Sequence, residues 1–376
     1  MQRLRYLDGL RGLASFFVLL YHFFSMDWIK ELLPIDVVHA INVVFNGTDC
    51  VSLFFVLSGL VLALPYVQAS GEAVAADYPR FFLSRLFRLL PIYWIAYFFT
   101  FVVGVIPSIL AGNFWRDVDY NSIVLTKEFL MIRGEHPFYI PGWSLEIELL
   151  IGALVPFLLL LARYRAAFWL VFGLILLGNP IFSVHINAFM LGAWLALNFE
   201  QIRKIEIEKT KIYRFRYFFY IVFVLIFSAR HFHEFVKYSG KNYVNNLMNI
   251  AGINFSHLSG LASFALIFWI LTHSKWQNIL STRLLVWLGN ISYCLYLLHW
   301  LVVFAVVRTF WIPYVRAQGV QNWQLLASSF ALAVGLSLLL AHIFHFYIEQ
   351  KIINYFKIKT PQIARFVEQK IFKIDS

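Results

Sequence analysis

The sequence predicts an all-α polytopic integral membrane protein with about ten transmembrane helices and both termini cytoplasmic. Three observations carry this. The composition is 61% apolar and only 14% charged, whereas an average soluble domain is closer to a quarter charged. Aromatic residues make up 19% of the chain, including 40 Phe and 12 Trp, more apolar area than a water-facing surface of this size can hide. Apolar runs of spanning length recur along all 376 residues, and a spanning helix needs about 20 such residues. Disordered, collagenous and disulfide-scaffold classes are excluded together.

The runs fall near residues 10–30, 42–66, 89–110, 143–162, 166–182, 183–199, 216–230, 250–272, 284–310 and 323–348. No small-residue cleavage site follows the first, so it reads as a retained helix that starts the mature chain near Met1. Gly178-Asn179-Pro180 splits the fifth run from the sixth, because Pro removes a backbone donor and Asn-Pro initiates turns. An even number of spans puts both termini on one side. Of the 31 Lys and Arg, 22 lie on that side, and the positive-inside rule makes it cytoplasmic. Residues 1–350 read as one transmembrane domain and 351–376 as a basic cytoplasmic tail, in a cell inner or plasma membrane. The +11 net charge then needs no nucleic-acid partner, since the basic residues sit at span ends and no RNA-binding signature is present. The outer segments 111–142 and 231–249 are long enough to shape the mouth of a cavity.

Cys50 and Cys294 each sit within an apolar run and read as packing residues. His231 and His233, an alternating pair without a third ligand, and His342 with His345 are weak metal signals, so no metal is expected. No internal repeat, Walker loop, dinucleotide-binding glycine motif or nucleophile elbow is present.

Ionisable residues within a span are expensive, and each is a functional candidate by default. Arg11 and His22 are separated by eleven residues, roughly 1100° of helix, which is about 20° past three turns and about 16 Å of rise. They share one face. An arginine at the mouth suits a phosphate, and a histidine at depth suits proton transfer near neutral pH. The alternative is a snorkelling arginine above a hydrogen-bonded core histidine. Arg85 and Arg88, at i and i+3, share a face at the inner surface and suit a polyanion such as a nucleotide or lipid phosphate, or else anchor the span. In Trp143-Ser144-Leu145-Glu146-Ile147-Glu148 the two glutamates cannot face one way. Glu148, the deeper, is the better group to orient a histidine or bind an acceptor hydroxyl. His299, within the ninth run, is either a packing histidine or a cavity residue.

In order, these motifs resemble the integral-membrane acyltransferase 3 family, whose members acylate glycans and other acceptors. Leu7-Asp8-Gly9-Leu10-Arg11-Gly12 with Tyr21-His22 is similar to its opening signature. Phe54-Phe55-Val56-Leu57-Ser58-Gly59 resembles its second motif and Arg85-x-x-Arg88 before Pro91-x-Tyr93-Trp94 its third. Trp143-Ser144-Leu145-x-x-Glu148 resembles the fourth, and Ile291-Ser292-Tyr293 through His299 the fifth. The chain departs from the pattern at Cys50, where a glycine often stands, at Ile151-Gly152, where an aromatic pair is common, and at Glu349-Gln350, where Arg-Pro often follows the glutamate.

The resemblance implies an O-acyltransferase of the standalone type, without the fused extracellular esterase-like domain of some relatives. Acetyl-CoA or another acyl-CoA would be the cosubstrate, its phosphates held by Arg11, Arg85 and Arg88. His22 would be general base and Glu148 its orienting partner, with Trp143, Glu146 and His299 on the acceptor side. The acceptor would be a lipid-linked or surface polysaccharide such as O-antigen, the glycan of lipopolysaccharide, or exopolysaccharide, and membrane lipids the other partner. A glycan or lipid transporter or flippase is the alternative, and a non-catalytic acyl-CoA sensor a third reading.

Overall fold

The computed structural model describes residues 4–106, 122–131, 138–178, 183–232 and 255–371, which are helices joined by short turns with no strand among them. Among the described residues, six helices are long and apolar enough to cross a membrane: Arg5–Phe24, Ile35–Tyr66, Gly71–Gly104, Gly142–Ala162, Arg283–Ala317 and Asn322–Pro361. A seventh forms if Phe255–Leu271 and Ser274–Leu280, bent by 100° at their break, are one span. The fifth, sixth and seventh expected spans correspond, as far as they are described, to the shorter helices Arg165–Gly178, 14 residues, Ser183–Leu197, 15 residues, and Arg216–Phe227, 12 residues. At about 1.5 Å per residue these fall short of a hydrocarbon core about 30 Å thick. The turn expected at Asn179-Pro180, His233 and most of both outer segments lie outside the described residues.

The third expected span, near 89–110, starts much earlier. Its helix begins at Gly71, where the Ser70 hydroxyl accepts from Ala73 N at 3.2 Å as an N-cap. The added turns carry Arg80, Arg85 and Arg88, polar residues that an apolar-run criterion passes over. At the other end, the helix Gln350–Ile371 follows Asn322–Phe344 and the wider turn His345–Glu349 directly, so the segment expected as a tail opens as helix.

The chain forms two compact units, residues 1–69 with 154–290, and 70–153 with 291–376. In the first, Gly47–Ala63 packs on Ser183–Leu197 through glycine: a Cβ on Gly59 would lie 2.3 Å from the Phe189 carbonyl oxygen, and one on Gly192 2.2 Å from that of Val56. Small residues let helices approach closely where lipid supplies no hydrophobic drive. The helix Arg216–Phe227 buries none of its side chains and exposes Tyr217, Phe218, Ile221 and Leu225, as a lipid-facing helix does. In the second unit, Gly71–Thr100 packs along Gln350–Ile371, where the rings of Phe87 and Phe356 stack 4.0 Å apart. Cys50 and Cys294 are free and buried.

Candidate functional site

In the first unit, Arg11 and His22 stand on the helix Arg5–Phe24, both half-buried. His22 adjoins Tyr21, with ring centroids 5.5 Å apart, and the same Tyr21 ring lies 5.5 Å from His231. A polar network extends from there. His231, fully buried, has Nε2 3.0 Å from Asn46 Oδ1. Asn46 caps the helix Gly47–Ala63 by accepting from Asp49 N at 3.1 Å, and its amide donates to Asp49 Oδ2 and to the Phe227 carbonyl, both at 2.7 Å.

Asp49 is 1% exposed. A bare carboxylate at that depth is strongly unfavourable, so its partners decide whether it is tolerated. Besides Asn46 it accepts from Ser259 Oγ, and Arg230 Nε lies 3.7 Å away. Arg230 in turn donates to Ser256 Oγ at 3.1 Å. The unit thus places an aspartate, an arginine, a histidine and an asparagine beside the Tyr21–His22 corner. Sequence reasoning passed over this group and weighed His231 only as a metal ligand. The legible part was local: Asn46-Gly47-Thr48-Asp49 is an N-cap sequence ahead of an apolar run.

In the second unit, the two arginines of the third motif separate. Arg88 is exposed, whereas Arg85 is 7% exposed and its Nη2 lies 2.8 Å from Glu148 Oε1. The same nitrogen donates to the Glu148 carbonyl. Room for it comes from Gly152, whose Cβ would fall 2.0 Å from Arg85 Nη2. At this departure from the family pattern, a side chain on residue 152 would meet the Arg85 guanidinium. Glu146 is 5% exposed, so both glutamates of the fourth motif are largely buried, and Trp143 is half-buried. Ser144 Oγ bonds to the Tyr296 hydroxyl.

His299 is fully buried with Nδ1 3.1 Å from the Leu295 carbonyl one turn back, and its ring lies 5.9 Å from Tyr296. Tyr139, just ahead of the span, donates to the Leu297 carbonyl at 2.7 Å, and burial pushes its phenol well above the usual tyrosine range. The third-motif aromatics are scaffold: the Tyr93 hydroxyl donates to the Glu128 carbonyl at 2.6 Å and Trp94 Nε1 to that of Phe129 at 2.9 Å. Glu349 is buried between Cys294 Sγ at 3.2 Å and His345 Nδ1 at 2.7 Å. No grouping of three His, Cys, Asp or Glu suited to a metal occurs among the described residues.

The two units therefore carry different groups: histidines, Asp49, Arg230 and Asn46 on or around Arg5–Phe24 in one, and the Arg85–Glu148 ion pair in the other. Over residues 4–342 the sequence matches acyltransferase 3, described as an acyltransferase domain. It is similar to Protein 2 in picA locus of Rhizobium radiobacter, with 29% identity over 172 residues, 40% of this chain and 80% of that protein. No solved structure matches. With a match that spans nearly the whole chain and the motif residues standing on apolar membrane-length helices, the chain belongs to the acyltransferase 3 family of membrane proteins.

Proposed function

We propose that the protein is a membrane O-acyltransferase that moves an acetyl group from cytosolic acetyl-CoA to a hydroxyl of a lipid-linked or surface polysaccharide. The observation that carries the reading is His22, which is half-buried on a membrane-length helix, in register with Arg11, and beside a buried polar network in a chain of this family. In the reaction, His22 takes the proton of the acceptor hydroxyl as its oxygen attacks the thioester carbonyl. The carbon–sulfur bond then breaks, and CoA leaves as the thiol with that proton. No acyl-enzyme is required. Arg11 and the exposed Arg88 are assigned to the donor's phosphates. Arg85 serves the same polyanion through a charge it already shares with Glu148. Trp143, Glu146 and His299 are assigned to the acceptor side, and the cytoplasmic termini and inner-membrane location of a ten-span chain belong to the same reading.

The test is purified protein in lipid nanodiscs with acetyl-labelled CoA and a glycan acceptor, read by acceptor mass and free thiol. Labelled acceptor from the native protein and none from His22→Ala supports the transfer. Unlabelled acceptor with the native protein rejects transfer in favour of a transporter or a sensor, and equal labelling by His22→Ala rejects His22 as the base.

A further inference from the structure

Two polar side chains in the first unit are buried and unused. Asn187 is 3% exposed and His257 5% exposed. Among the described residues, neither atom of the Asn187 amide and neither ring nitrogen of His257 has a hydrogen-bond partner. Both lie at one helix crossing: Ala188, the residue after Asn187, meets Gly260, three residues after His257, with a Cβ on Gly260 falling 3.7 Å from that of Ala188. Leaving such groups empty-handed is unfavourable, so a persistent pair of them points to a ligand that satisfies them.

The surroundings narrow its chemistry. Two positions away on the same helices are Ser259, bonded to Asp49, and His185, which lies within electrostatic reach of Arg230 and His257. Asp49 and Arg230 offset one another, so the crossing holds no uncompensated charge to draw an anion. An amide and a neutral imidazole each offer a donor and an acceptor, and the ligand group that both gives and takes a hydrogen bond is a hydroxyl.

We propose that Asn187 and His257 form a binding site for a neutral, hydroxyl-rich sugar ring, which makes them specificity residues for the acceptor. This rests on the acyl-transfer reading for its biological sense, but the site can be tested without turnover.

The full-length protein in nanodiscs is titrated with methyl glycosides of a neutral hexose, a 6-deoxyhexose and an N-acetylhexosamine, with n-butanol as a hydroxyl without a ring. Thermal unfolding is followed by tryptophan fluorescence. At least one glycoside raises the native Tm while butanol does not. Asn187→Leu and His257→Phe, which replace unsatisfied polar atoms with apolar ones, unfold at or above the native Tm without ligand. Both need roughly tenfold or more glycoside for the same shift. The site is overturned if no glycoside shifts the native protein, if butanol shifts it equally, if both variants respond as the native does, or if both unfold well below it. Acceptor-dependent CoA release, measured in parallel, separates the two ideas. Glycoside shifts without such release reject transfer and keep the site. Release with an unaltered glycoside KM in both variants rejects the site and keeps transfer.

Discussion

Arg85 Nη2 lies 2.8 Å from Glu148 Oε1, joining residues 63 positions apart. A guanidinium buried to this extent is tolerated because a carboxylate meets it, and the carboxylate in turn depends on the guanidinium. The expected effect of Arg85→Ala is therefore on stability as well as on any donor binding. Removing either partner leaves the other charge stranded and costs about 3 kcal/mol, whereas Arg85→Met with Glu148→Leu recovers most of the loss. Thermal unfolding of the two single variants and the double variant in nanodiscs measures the coupling, and additive losses would contradict a direct pair.

Gly152 belongs to the same arrangement. A Cβ there would sit 2.0 Å from Arg85 Nη2 and 2.4 Å from Cζ, so Gly152→Ala must push the guanidinium away from Glu148. We expect a loss of about 1–3 kcal/mol in the native background and a much smaller one in Arg85→Ala, where the obstacle is gone. Equal losses in both backgrounds would show that Gly152 serves some other contact.

His22 is the residue on which the proposed reaction turns. His22→Gln keeps a hydrogen-bonding side chain of similar reach but cannot act as a base near neutral pH. Acetyl transfer should fall by about 10²- to 10⁴-fold with little change in the KM for acetyl-CoA. If the loss appeared in KM alone, His22 would be a binding group and the base would have to be sought elsewhere.

Asp49 tests the buried network. Asp49→Ala strands Arg230, which is 29% exposed, and removes the acceptor for Ser259 and Asn46, with an expected loss of about 2–4 kcal/mol. Asp49→Asn keeps the shape and most hydrogen bonds, and about half of that loss or less is expected. Chemical unfolding with fluorescence readout ranks the two. A smaller loss for the alanine variant would contradict the account.

What was readable in the sequence was whatever one helix contains. The Arg11 and His22 register follows from helical period alone, and the apolar runs give the all-helical membrane class. Contacts between helices were not readable: Asn46 finds His231 across 185 residues and Asp49 finds Ser259 across 210, and no local pattern encodes either pairing. Spacing likewise placed Arg85 and Arg88 on one face but could not tell that Glu148 and Gly152 would receive the first and leave the second exposed. The start of the helix at Gly71 was hidden for the opposite reason, since its signal is a capping serine ahead of charged turns rather than an apolar run.

The glycine of the Phe-Phe motif offers the sharpest packing test. A Cβ on Gly59 would lie 2.3 Å from the Phe189 carbonyl oxygen and 3.0 Å from its carbonyl carbon and Cα. These are backbone atoms, which cannot swing aside as the tip of a side chain can, so Gly59→Ala must part the helices Gly47–Ala63 and Ser183–Leu197. The expected loss is about 2 kcal/mol or more, with reduced yield of folded protein. Gly173→Ala is the control, because nothing lies within 4 Å of its Cβ position. There the better helix propensity of alanine should leave stability unchanged or raise it by up to about 1 kcal/mol. The two variants differ in the same one methyl group, so equal unfolding temperatures would mean that the close approach at Gly59 does not hold these helices together.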